Sequence, residues 1–367
     1  MKKSILILTP FYKPFVGGAE TFVCEITNRL ANDFDFIILT ARTDRALPNK
    51  ELINSVTVYR LGWGWQYDKL LFPFLALIKS FFLPFDLSYA VMASYAGAAA
   101  LLIKFLRGKP YVLNLQSGTM DTPDYQKIIW WFLPFYKKIH TSAAVVHVIS
   151  DYLKNRALSL GVAENKIKII PNGIDLAKFQ FLNIKRDPWR VISVARLEKV
   201  KGVKYLIEAM PQVWEKFPQA ELLIAGDGSQ KSGLENLTEQ LGIAGSVNFL
   251  GMVNHEQLPT LLNSGSIFIC PSLAEGQGIA ILEAMACGLA VVGTNVGGIP
   301  DLIRDKFNGL LVNPANPMAL AEAINFLLEN FDFRNELITN SQPLIKKYDW
   351  SNLAKEIKLL INDVNDV

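Results

Sequence analysis

Cysteine and histidine are both scarce in this chain of 367 residues, which has three of each. Cys24, Cys270 and Cys287 lie far apart and form no CxxC pair. The sequence therefore predicts no disulfide framework and is typical of a reducing compartment. The histidines are equally scattered and lack the spacing of metal ligands. We expect neither a metal nor another cofactor.

Long hydrophobic runs are also missing. Near the N-terminus the apolar run Ile5–Leu8 has only four residues, which favours a first β-strand over a signal peptide. The most hydrophobic stretch, Leu70–Phe85, is interrupted by Pro73, Lys79 and Pro84. That stretch is too short and too broken to cross a bilayer as a helix. We expect a cytoplasmic protein, located peripherally at the inner face of the membrane if the charge pattern below reflects lipid binding.

Several catalytic motifs are absent. No GxGxxG follows the first strand, which argues against a dinucleotide-dependent dehydrogenase. No GxSxG is present, which argues against an α/β-hydrolase. The string Asp33-Phe34-Asp35 has the DxD pattern of metal-dependent sugar transferases of another fold, but it falls between the first helical pattern and the second strand. We interpret it as a loop.

Charge is distributed unevenly along the chain. Residues 1–172 carry 20 Lys and Arg against 12 Asp and Glu, a net charge of +8, whereas residues 173–367 carry 17 against 22, a net charge of −5. Basic residues beside aromatic ones suit an anionic membrane surface, although a buried core with a solvated basic rim gives the same composition. No nucleic-acid-binding motif is present, so we expect no nucleic-acid partner. The aromatic residues of this basic half cluster at Phe72, Phe74, Phe81, Phe82, Phe85, Trp130, Trp131, Phe132, Phe135 and Tyr136.

Short apolar runs alternate with amphipathic stretches along almost the whole chain. The runs are rich in Val, Ile and Leu at consecutive positions, the pattern of parallel strands covered by helices on both faces. Strand–helix alternation in two series predicts two doubly wound α/β domains. The predicted strands are 4–8, 36–40, 56–61, 87–91, 111–115, 144–149 and 167–170 in the first series, and 191–194, 221–225, 247–250, 267–270, 290–294 and 309–312 in the second.

We predict an N-terminal domain over residues 1–172 and a C-terminal domain over residues 187–345. The turn-forming cluster Pro171–Asp175 and the polar stretch that follows it, through Arg186, form the join. A last helix, over about residues 346–367, has no strand after it. We expect this helix to pack back on the first domain.

Ligands of open parallel sheets bind outside the carboxyl ends of the strands, and the loops at those ends are informative here. Gly17 and Gly18 stand at a helix start, where backbone N–H groups approach an anion or a sugar. Arg196 and Lys201 follow the first strand of the second series and could neutralise a diphosphate, although a solvated basic loop has the same composition. Gly226 ends another strand in a run of small residues that leaves room for a ligand.

The strongest signal is the segment Pro271–Ala284. Glu275 and Glu283 are eight residues apart, and Gly276, Gln277 and Gly278 precede an apolar helix. Amides at a helix N-terminus bind anions. Glu275 can accept hydrogen bonds from sugar hydroxyls, and Glu283 from a ribose.

In these motifs the sequence resembles glycosyltransferase family 4 (glycosyl transferases group 1), retaining enzymes of the GT-B fold. Each motif alone is unspecific, but their order and spacing are specific, and they extend through most of the chain. The similar segments are Gly17–Glu20, Pro171–Asp175, Arg196–Gly202, Gly226–Gly228, Glu275–Glu283 and Gly297–Pro300.

The resemblance implies an α/β, GT-B-like fold, with two Rossmann-type parallel-sheet domains that face a central cleft. The first domain would bind the acceptor and the second the nucleotide sugar. Arg196, Lys201 and Glu275 would be catalytic, the two cations on the diphosphate and Glu275 on the transferred sugar. The donor would also contact Gly226, Gly276, Gln277, Gly278 and Glu283, the last at the ribose, with Gly17 and Gly18 on the facing wall.

The implied activity is a hexosyltransferase-type reaction of polysaccharide biosynthesis. A UDP- or GDP-sugar would donate its sugar to a glycan or a lipid-linked acceptor, and the reaction would need no metal. A nucleotide-sugar epimerase of the same fold and a non-catalytic sugar-nucleotide binder are the alternatives.

The sequence departs from the family pattern after the predicted strand Tyr111–Leu115, where the family usually has a histidine. Gln116 stands there instead. A glutamine hydrogen-bonds to sugar hydroxyls but does not exchange a proton at neutral pH. We therefore place Gln116 on the acceptor and sugar side of the site without an acid–base role.

Overall fold

The computed structural model describes residues 2–15, 17–117 and 133–364. Trp130, Trp131 and Phe132, named above as part of the basic aromatic half, lie outside the described residues. The chain forms two compact units. Unit 1 comprises Met1–Asn172 and Trp350–Val367, and unit 2 comprises Gly173–Asp349.

Two sheets, parallel but for one edge strand, account for the strands of the described residues. All thirteen predicted strands are confirmed to within two residues at either end. The strands are β1 (Lys3–Leu8), β2 (Phe34–Ala41), β3 (Lys50–Ile53), β4 (Val56–Leu61), β5 (Leu87–Val91), β6 (Tyr111–Leu115), β7 (Val145–Val148), β8 (Ile167–Ile169), β9 (Arg190–Val194), β10 (Glu221–Ala225), β11 (Val247–Gly251), β12 (Ile267–Cys270), β13 (Ala290–Thr294) and β14 (Leu310–Val312).

Helices cover both faces of each sheet. They are α1 (Gly18–Arg29), α2 (Asp68–Ser80), α3 (Tyr95–Arg107), α4 (Leu133–Thr141), α5 (Asp151–Ser159), α6 (Val203–Lys216), α7 (Lys231–Gln240), α8 (Leu258–Asn263), α9 (Ile279–Ala286), α10 (Ile299–Leu302), α11 (Pro317–Glu329), α12 (Phe331–Lys347) and α13 (Trp350–Asp363).

The sheet of unit 1 has the order β3-β4-β2-β1-β5-β6-β7-β8, and every pairing except β3 with β4 is parallel. The edge strand β3 was not predicted. Its four residues, Lys50–Ile53, alternate between exposed and half-buried. An edge strand with a wet face carries no continuous apolar run, so it lacks the pattern that identified the central strands.

The last helix, α13, belongs to the hydrophobic core of unit 1. Trp350 is buried, and its ring lies 6.1 Å from that of Phe22 in α1. At the far end of α1, Lys358 Nζ lies 2.5 Å from Asp33 Oδ1. The loop interpretation of Asp33-Phe34-Asp35 is wrong in part, because β2 begins at Phe34 and includes Asp35. Only Asp33 lies outside the strand, and it makes an ion pair.

The sheet of unit 2 has the order β11-β10-β9-β12-β13-β14, and all of its strands are parallel. The chain adds strands on one side of β9 and then returns to its other side at β12. The loops after β9 and β12 therefore flank the topological switch point, where open α/β sheets bind their ligands. In unit 1 the loops after β1 and β5 flank the equivalent point.

None of the helices in the described ranges has the length and hydrophobicity that a bilayer span requires. The hydrophobic stretch noted in the sequence forms α2, a helix of 13 residues, and the turn that follows it. One side of α2 packs on the sheet through buried Phe72 and Ala76.

Candidate active site

In unit 2 the loops after β9 and β12 are held against each other. Leu273 N donates to Val200 O at 2.7 Å, which joins the two loops. Gly202 has φ +64°, and a Cβ at this position would lie 2.0 Å from Pro271 O. Only a residue without a side chain permits this approach. The glycine at the end of the Arg196–Gly202 motif therefore sets the distance between the two loops.

This close approach brings Lys201 and Glu275 into contact. Lys201 Nζ lies 2.6 Å from Glu275 Oε2, and the two side chains are 18% and 16% exposed. A charge pair withdrawn this far from water interacts more strongly than one on an open surface. The ammonium group has three N–H donors, and the Glu275 contact uses one. Two of the predicted catalytic residues therefore meet although 74 residues separate them in the sequence.

The Glu275 side chain and backbone are fixed by their neighbours. Ser272 Oγ donates to Oε2 at 3.3 Å, and Gly276 N donates to Oε1 at 3.2 Å. The Glu275 carbonyl accepts from Gly298 N at 3.1 Å. Gly297 has φ +56°, and a Cβ there would lie 1.9 Å from that carbonyl oxygen. The Gly297-Gly298 turn thus fixes the backbone of Glu275.

The three residues predicted to offer amides precede α9. Gly276, Gln277 and Gly278 are buried, and Gly278 is the N-cap of the helix. The N-terminal end of a helix carries a partial positive charge and outward-facing N–H groups. The amide of Gly276, however, already donates to Glu275 Oε1. The arrangement therefore orients Glu275 as well as presenting helix amides.

Arg196 lies on the loop after β9 and is exposed to solvent. Among the described residues it makes no ion pair within 4 Å. The pKa of Glu198 is lowered mainly by the Ser229 hydroxyl, which donates to Glu198 Oε2 at 2.7 Å, and to a smaller extent by the charge of Arg196. Arg196 therefore shares a loop with Lys201 and remains open to an anion.

Gly226 closes the carboxyl end of β10 beside the same loop. Its N–H donates to Gly251 O at 2.7 Å, and its Cα faces the Ala195 carbonyl at a distance that leaves no room for a Cβ. The residue therefore permits β10 to pack against the chain leaving β9. The structure assigns this position a packing role, and its predicted contact with the donor stays a prediction.

Glu283 belongs to a second polar cluster. Its side chain is buried in α9, and Glu283 Oε1 lies 3.3 Å from His255 Nε2. Lys178 Nζ lies 2.8 Å from His255 Nδ1 and 2.7 Å from Glu256 Oε1. An ammonium can only donate, so Nδ1 accepts and the Nε2–H points to Glu283. His255 thus orients Glu283, the residue predicted to bind the ribose.

Sequence reasoning missed His255 and Lys178. The spacing of His255 matches no metal site, and Lys178 lies in the stretch predicted to join the two domains. Nothing in the spacing links them to Glu283, from which His255 is 28 residues distant. The position of His255 shortly after the carboxyl end of β11 is the signal that could have drawn attention to it.

In unit 1, Gly17 and Gly18 start α1 directly after the loop that follows β1. Gly17 is the N-cap, and its carbonyl accepts from Thr21 N at 2.9 Å. A Cβ at Gly17 would lie 2.6 Å from Glu20 Oε2. Gly18 is exposed. The backbone at this helix start is therefore accessible at the carboxyl edge of the sheet.

Gln116 follows β6 and is held by two asparagines. Its Nε2 donates to Asn114 Oδ1 at 2.7 Å and to Asn172 Oδ1 at 3.1 Å, while Asn172 Nδ2 donates to Gln116 Oε1 at 2.6 Å. Both N–H donors of the Gln116 amide are therefore used within the protein, and a lone pair on Oε1 remains. Asn172, from the Pro171–Asp175 motif, fixes the side chain that replaces the usual histidine.

Behind Gln116 lies a buried polar network around His147. Tyr89 Oη and Asn114 Nδ2 lie 2.6 and 3.0 Å from His147 Nδ1, and His147 Nε2 lies 2.6 Å from Ile170 O. This pattern requires an Nε2–H tautomer with an accepting Nδ1. Burial lowers the pKa of His147 to about 4, so the ring is neutral. His147 therefore has a structural role: it holds Asn114, which in turn holds Gln116.

A small cavity of about 30 Å³ adjoins Gln116 at the carboxyl ends of β5 and β6. Its wall includes Ser94 and the Arg156 side chain of α5. Burial lowers the pKa of Arg156 from its ordinary value, although a guanidinium stays charged at neutral pH. Arg156 was not predicted as a site residue. It gives the Gln116 region of unit 1 a cation.

Within the described ranges, no group of three or more His, Cys, Asp or Glu side chains lies close enough to hold a metal ion. The carboxylates of the candidate site have other partners. Glu275 pairs with Lys201, and Glu283 contacts His255.

Two Rossmann-type units, each with polar residues gathered at the carboxyl edge of a parallel sheet, define the GT-B class of fold. HepE of Anabaena, determined in complex with UDP and glucose, has this fold: it superposes with a TM-score of 0.82 at 21% identity, covering 98% of this chain and 100% of its own. The family model of glycosyl transferases group 1 matches residues 175–344, and that of glycosyltransferase family 4 matches residues 16–178.

Several relatives match across nearly all of this chain. An uncharacterized glycosyltransferase of Methanocaldococcus jannaschii is 31% identical over 96% of each chain. One of the subunits of human phosphatidylinositol N-acetylglucosaminyltransferase is 28% identical over 99% of this chain and 76% of its own length. The chain belongs to glycosyltransferase family 4, the glycosyl transferases group 1, and is a transferase enzyme.

Proposed function

We propose that this chain transfers a sugar from a nucleotide-diphosphate donor to a glycan or lipid-linked acceptor, with retention of anomeric configuration. The observation that carries the proposal is the Lys201–Glu275 contact of 2.6 Å. It puts a cation suited to a diphosphate beside a carboxylate suited to sugar hydroxyls. Both lie at the switch point of the unit 2 sheet, and they are the pair that a nucleotide sugar requires side by side.

In this proposal Lys201 and Arg196 bind the diphosphate, and the amides before α9 add donors of fixed direction. Glu275 accepts from the hydroxyls of the transferred sugar. Glu283, oriented by His255 at 3.3 Å, accepts from the ribose. HepE was determined with UDP and glucose, which supports a UDP-sugar and leaves a GDP-sugar as the other arm of the test.

The chemical step that fits these residues takes place on one face of the sugar. The bond from the anomeric carbon to the diphosphate oxygen breaks, and the acceptor oxygen bonds to the same face of that carbon. The departing phosphate oxygen takes the acceptor proton, while Lys201 and Arg196 offset the charge that develops on the diphosphate. Gln116 has no proton to exchange at neutral pH, so it orients the sugar. No part of this scheme uses a metal.

For the acceptor, the charge distribution is the guide. Residues 1–172 have a net charge of +8, and Arg156 lies beside the small cavity of unit 1. The human relative is named for phosphatidylinositol, an anionic lipid. These observations support an acceptor that carries a phosphate or a lipid anchor, in polysaccharide or glycolipid biosynthesis, and a peripheral position at a membrane.

Calorimetric titration with UDP- and GDP-sugars tests the donor site. Lys201→Ala should weaken binding by about 1.5–3 kcal/mol, or about 10- to 150-fold, since it removes a charged hydrogen bond. Lys204→Ala is the matched control, because Lys204 is three residues further on and its one ion pair within the described part of the chain is with Glu208, at 3.5 Å on the α6 surface. Equal affinity of the Lys201→Ala variant and the wild type would refute the assignment.

A product assay separates the transferase from the two alternatives. The proposed enzyme releases the nucleoside diphosphate only when an acceptor is present and forms a glycoside with it. An epimerase forms a product from the donor alone. A non-catalytic sugar-nucleotide binder binds the donor in the calorimetric titration. It forms no product when membrane extract is added as the source of acceptor.

A further inference from the structure

Helix α2 of unit 1 has an apolar face that no part of the described chain covers. Leu70, Leu71, Phe74 and Ile78 are exposed, Phe74 by 60%. At 3.6 residues per turn these four side chains occupy one arc of about 100°, and no charged or polar residue lies within it. A helix that is apolar on both faces is normally buried on both. The uncovered face of α2 therefore fits an apolar partner.

Exposed aromatic side chains also follow and precede the helix. Phe81 and Phe82 extend the apolar face at the C-terminal end, and Phe82 is 76% exposed. At the N-terminal end Trp63 and Trp65 project from the loop between β4 and α2, with Trp63 62% exposed. We call the eight residues Trp63, Trp65, Leu70, Leu71, Phe74, Ile78, Phe81 and Phe82 the α2 surface.

The loop that carries the two tryptophans has a fixed shape. Asp68, the first residue of α2, is buried, and its Oδ2 accepts the backbone N–H groups of Trp63, Gly64 and Trp65 at 2.6, 2.7 and 3.0 Å. A carboxylate that gathers three amides orders the backbone strongly. The Asp68 carboxylate therefore fixes the backbone that carries the two exposed tryptophans.

Cations lie near both ends of the α2 surface, and none of its eight residues is acidic. Lys79 Nζ lies 4.2 Å from the ring centre of Tyr59, and Arg107 Cζ lies 5.6 Å from that of Phe81. Lys69 lies at the other end, on the first turn of α2. Asp68 is the one acidic residue between Gly62 and Phe85, and it is buried. The combination of tryptophan, aliphatic side chains and cations suits the headgroup region of an anionic bilayer.

The N-terminal end of the α2 surface lies near the edge of unit 1 that carries its candidate site residues. β4 runs parallel to β1 through β2, so the tryptophan loop leaves the sheet at the same carboxyl edge as the Gly17 loop. Lys69 Nζ, at the start of α2, lies 6.0 Å from the ring centre of Phe11 in the loop after β1. A lipid surface at α2 would therefore lie beside the loop after β1, in the unit to which we assign the acceptor.

We propose that the α2 surface inserts into the interface of an anionic lipid membrane and brings unit 1 to its lipid-linked acceptor. The aromatic and aliphatic side chains enter the headgroup–acyl boundary, and Lys69, Lys79 and Arg107 pair with lipid phosphates. This proposal rests on the proposed function only for the identity of the acceptor. Membrane binding itself is measured without donor or turnover.

The test is co-sedimentation of the full chain with phosphatidylcholine vesicles, with and without about one third phosphatidylglycerol. The wild type should sediment with the anionic vesicles. Phe74→Glu/Phe82→Glu should lower the bound fraction about ten-fold or more, since two carboxylates then face the anionic lipids. Leu359→Glu is the control, because Leu359 is 63% exposed on α13, outside the α2 surface, and it should bind like the wild type.

A second measurement uses variants that keep the surface apolar. Tryptophan emission of the wild type should shift to the blue with anionic vesicles, and Trp63→Phe/Trp65→Phe should lose most of that shift while still sedimenting. Equal binding of the wild type and Phe74→Glu/Phe82→Glu would overturn the proposal, as would equal binding to neutral and anionic vesicles. A wild-type dimer that Phe74→Glu/Phe82→Glu converts to monomer, without vesicle binding, would assign the surface to self-association instead. Nucleotide titration of each variant shows whether a failure concerns the membrane or the donor site.

Discussion

Two side chains that the sequence places far apart carry the central contact of this enzyme. Lys201 and Glu275 were predicted separately, the first from a cationic loop and the second from a glycine-rich helix start. Their separation of 2.6 Å could not be read from either motif, because it depends on two loops from strands that are adjacent in the sheet and distant in the chain. Residue type follows from sequence, and the pairing follows from the fold.

Gln116 and His147 show the same division. The sequence identified Gln116 as a departure from the family pattern, and the structure shows why this glutamine keeps one orientation. Asn114 and Asn172 fix its amide, and His147 fixes Asn114 at 3.0 Å. The histidine in the apolar strand β7 had no predicted role. Its partners come from three other segments, which spacing does not connect.

Acid should destabilise the protein through the buried histidines. Burial lowers the pKa of His147 and of His140 to about 4, from 6.5. The unfolded chain then binds a proton at a pH where the folded protein does not, so stability is full above pH 6.5 and falls as the pH drops towards 4. From about pH 7 to about pH 5 each such histidine should remove about 2 kcal/mol from the free energy of unfolding.

Urea denaturation at the two pH values measures this loss. His147→Gln should reduce the difference between them by about 2 kcal/mol, whatever its effect at pH 7. His140→Gln should give a similar reduction. An unchanged difference in both variants would mean that these rings are protonated in the folded state.

At the scale of elements, central strands follow from sequence because both of their faces are buried. All thirteen predicted strands are present, whereas the edge strand β3 was missed and the start of β2 was placed two residues late. Burial on both faces leaves a continuous apolar run. A solvent-exposed edge strand has no such apolar run, so β3 is recognised only by its pairing with β4.

Glycines in the site loops also act at this scale. Gly202 and Gly242 have nearly equal φ, +64° and +71°, but a Cβ would lie 2.0 Å from Pro271 O at the first and within 4 Å of nothing at the second. Gly242→Ala should therefore cost only the backbone term of about 1–2 kcal/mol. Gly202→Ala should cost about 3 kcal/mol or more and also weaken donor binding, since it separates the β9 and β12 loops.

Denaturation and donor titration of the two variants give the comparison. If Gly202→Ala binds donor like Gly242→Ala, the contact between the loops does not set the site. If both variants lose the same stability, the close approach at Pro271 is relieved at no cost.

At the scale of the molecule, unit 1 is built from two segments that are not consecutive in the chain. The chain leaves unit 1 after Asn172, builds unit 2, and returns with α13. The Trp350 ring lies in the core of unit 1, 6.1 Å from that of Phe22. The stability of the first 172 residues therefore depends on the last helix.

Trp350→Ala should lower the stability of unit 1 by about 3–5 kcal/mol, the usual cost of removing a buried tryptophan. Leu359→Ala, on the exposed side of the same helix, should change it by about 0.5 kcal/mol or less. Circular dichroism during urea denaturation detects both effects. Similar stability of the two variants would show that α13 contributes little to the core.

The sequence by itself determined the central strands, the two-series α/β organisation and the loops in which the chemistry lies. These features depend on burial patterns and backbone requirements that are local in the chain. Tertiary structure alone decided that Lys201 meets Glu275, that His255 orients Glu283, and that the aromatic residues of α2 split into a buried face and the exposed α2 surface. Periodicity shows that a helix is apolar on both sides, but only packing decides which side the sheet covers.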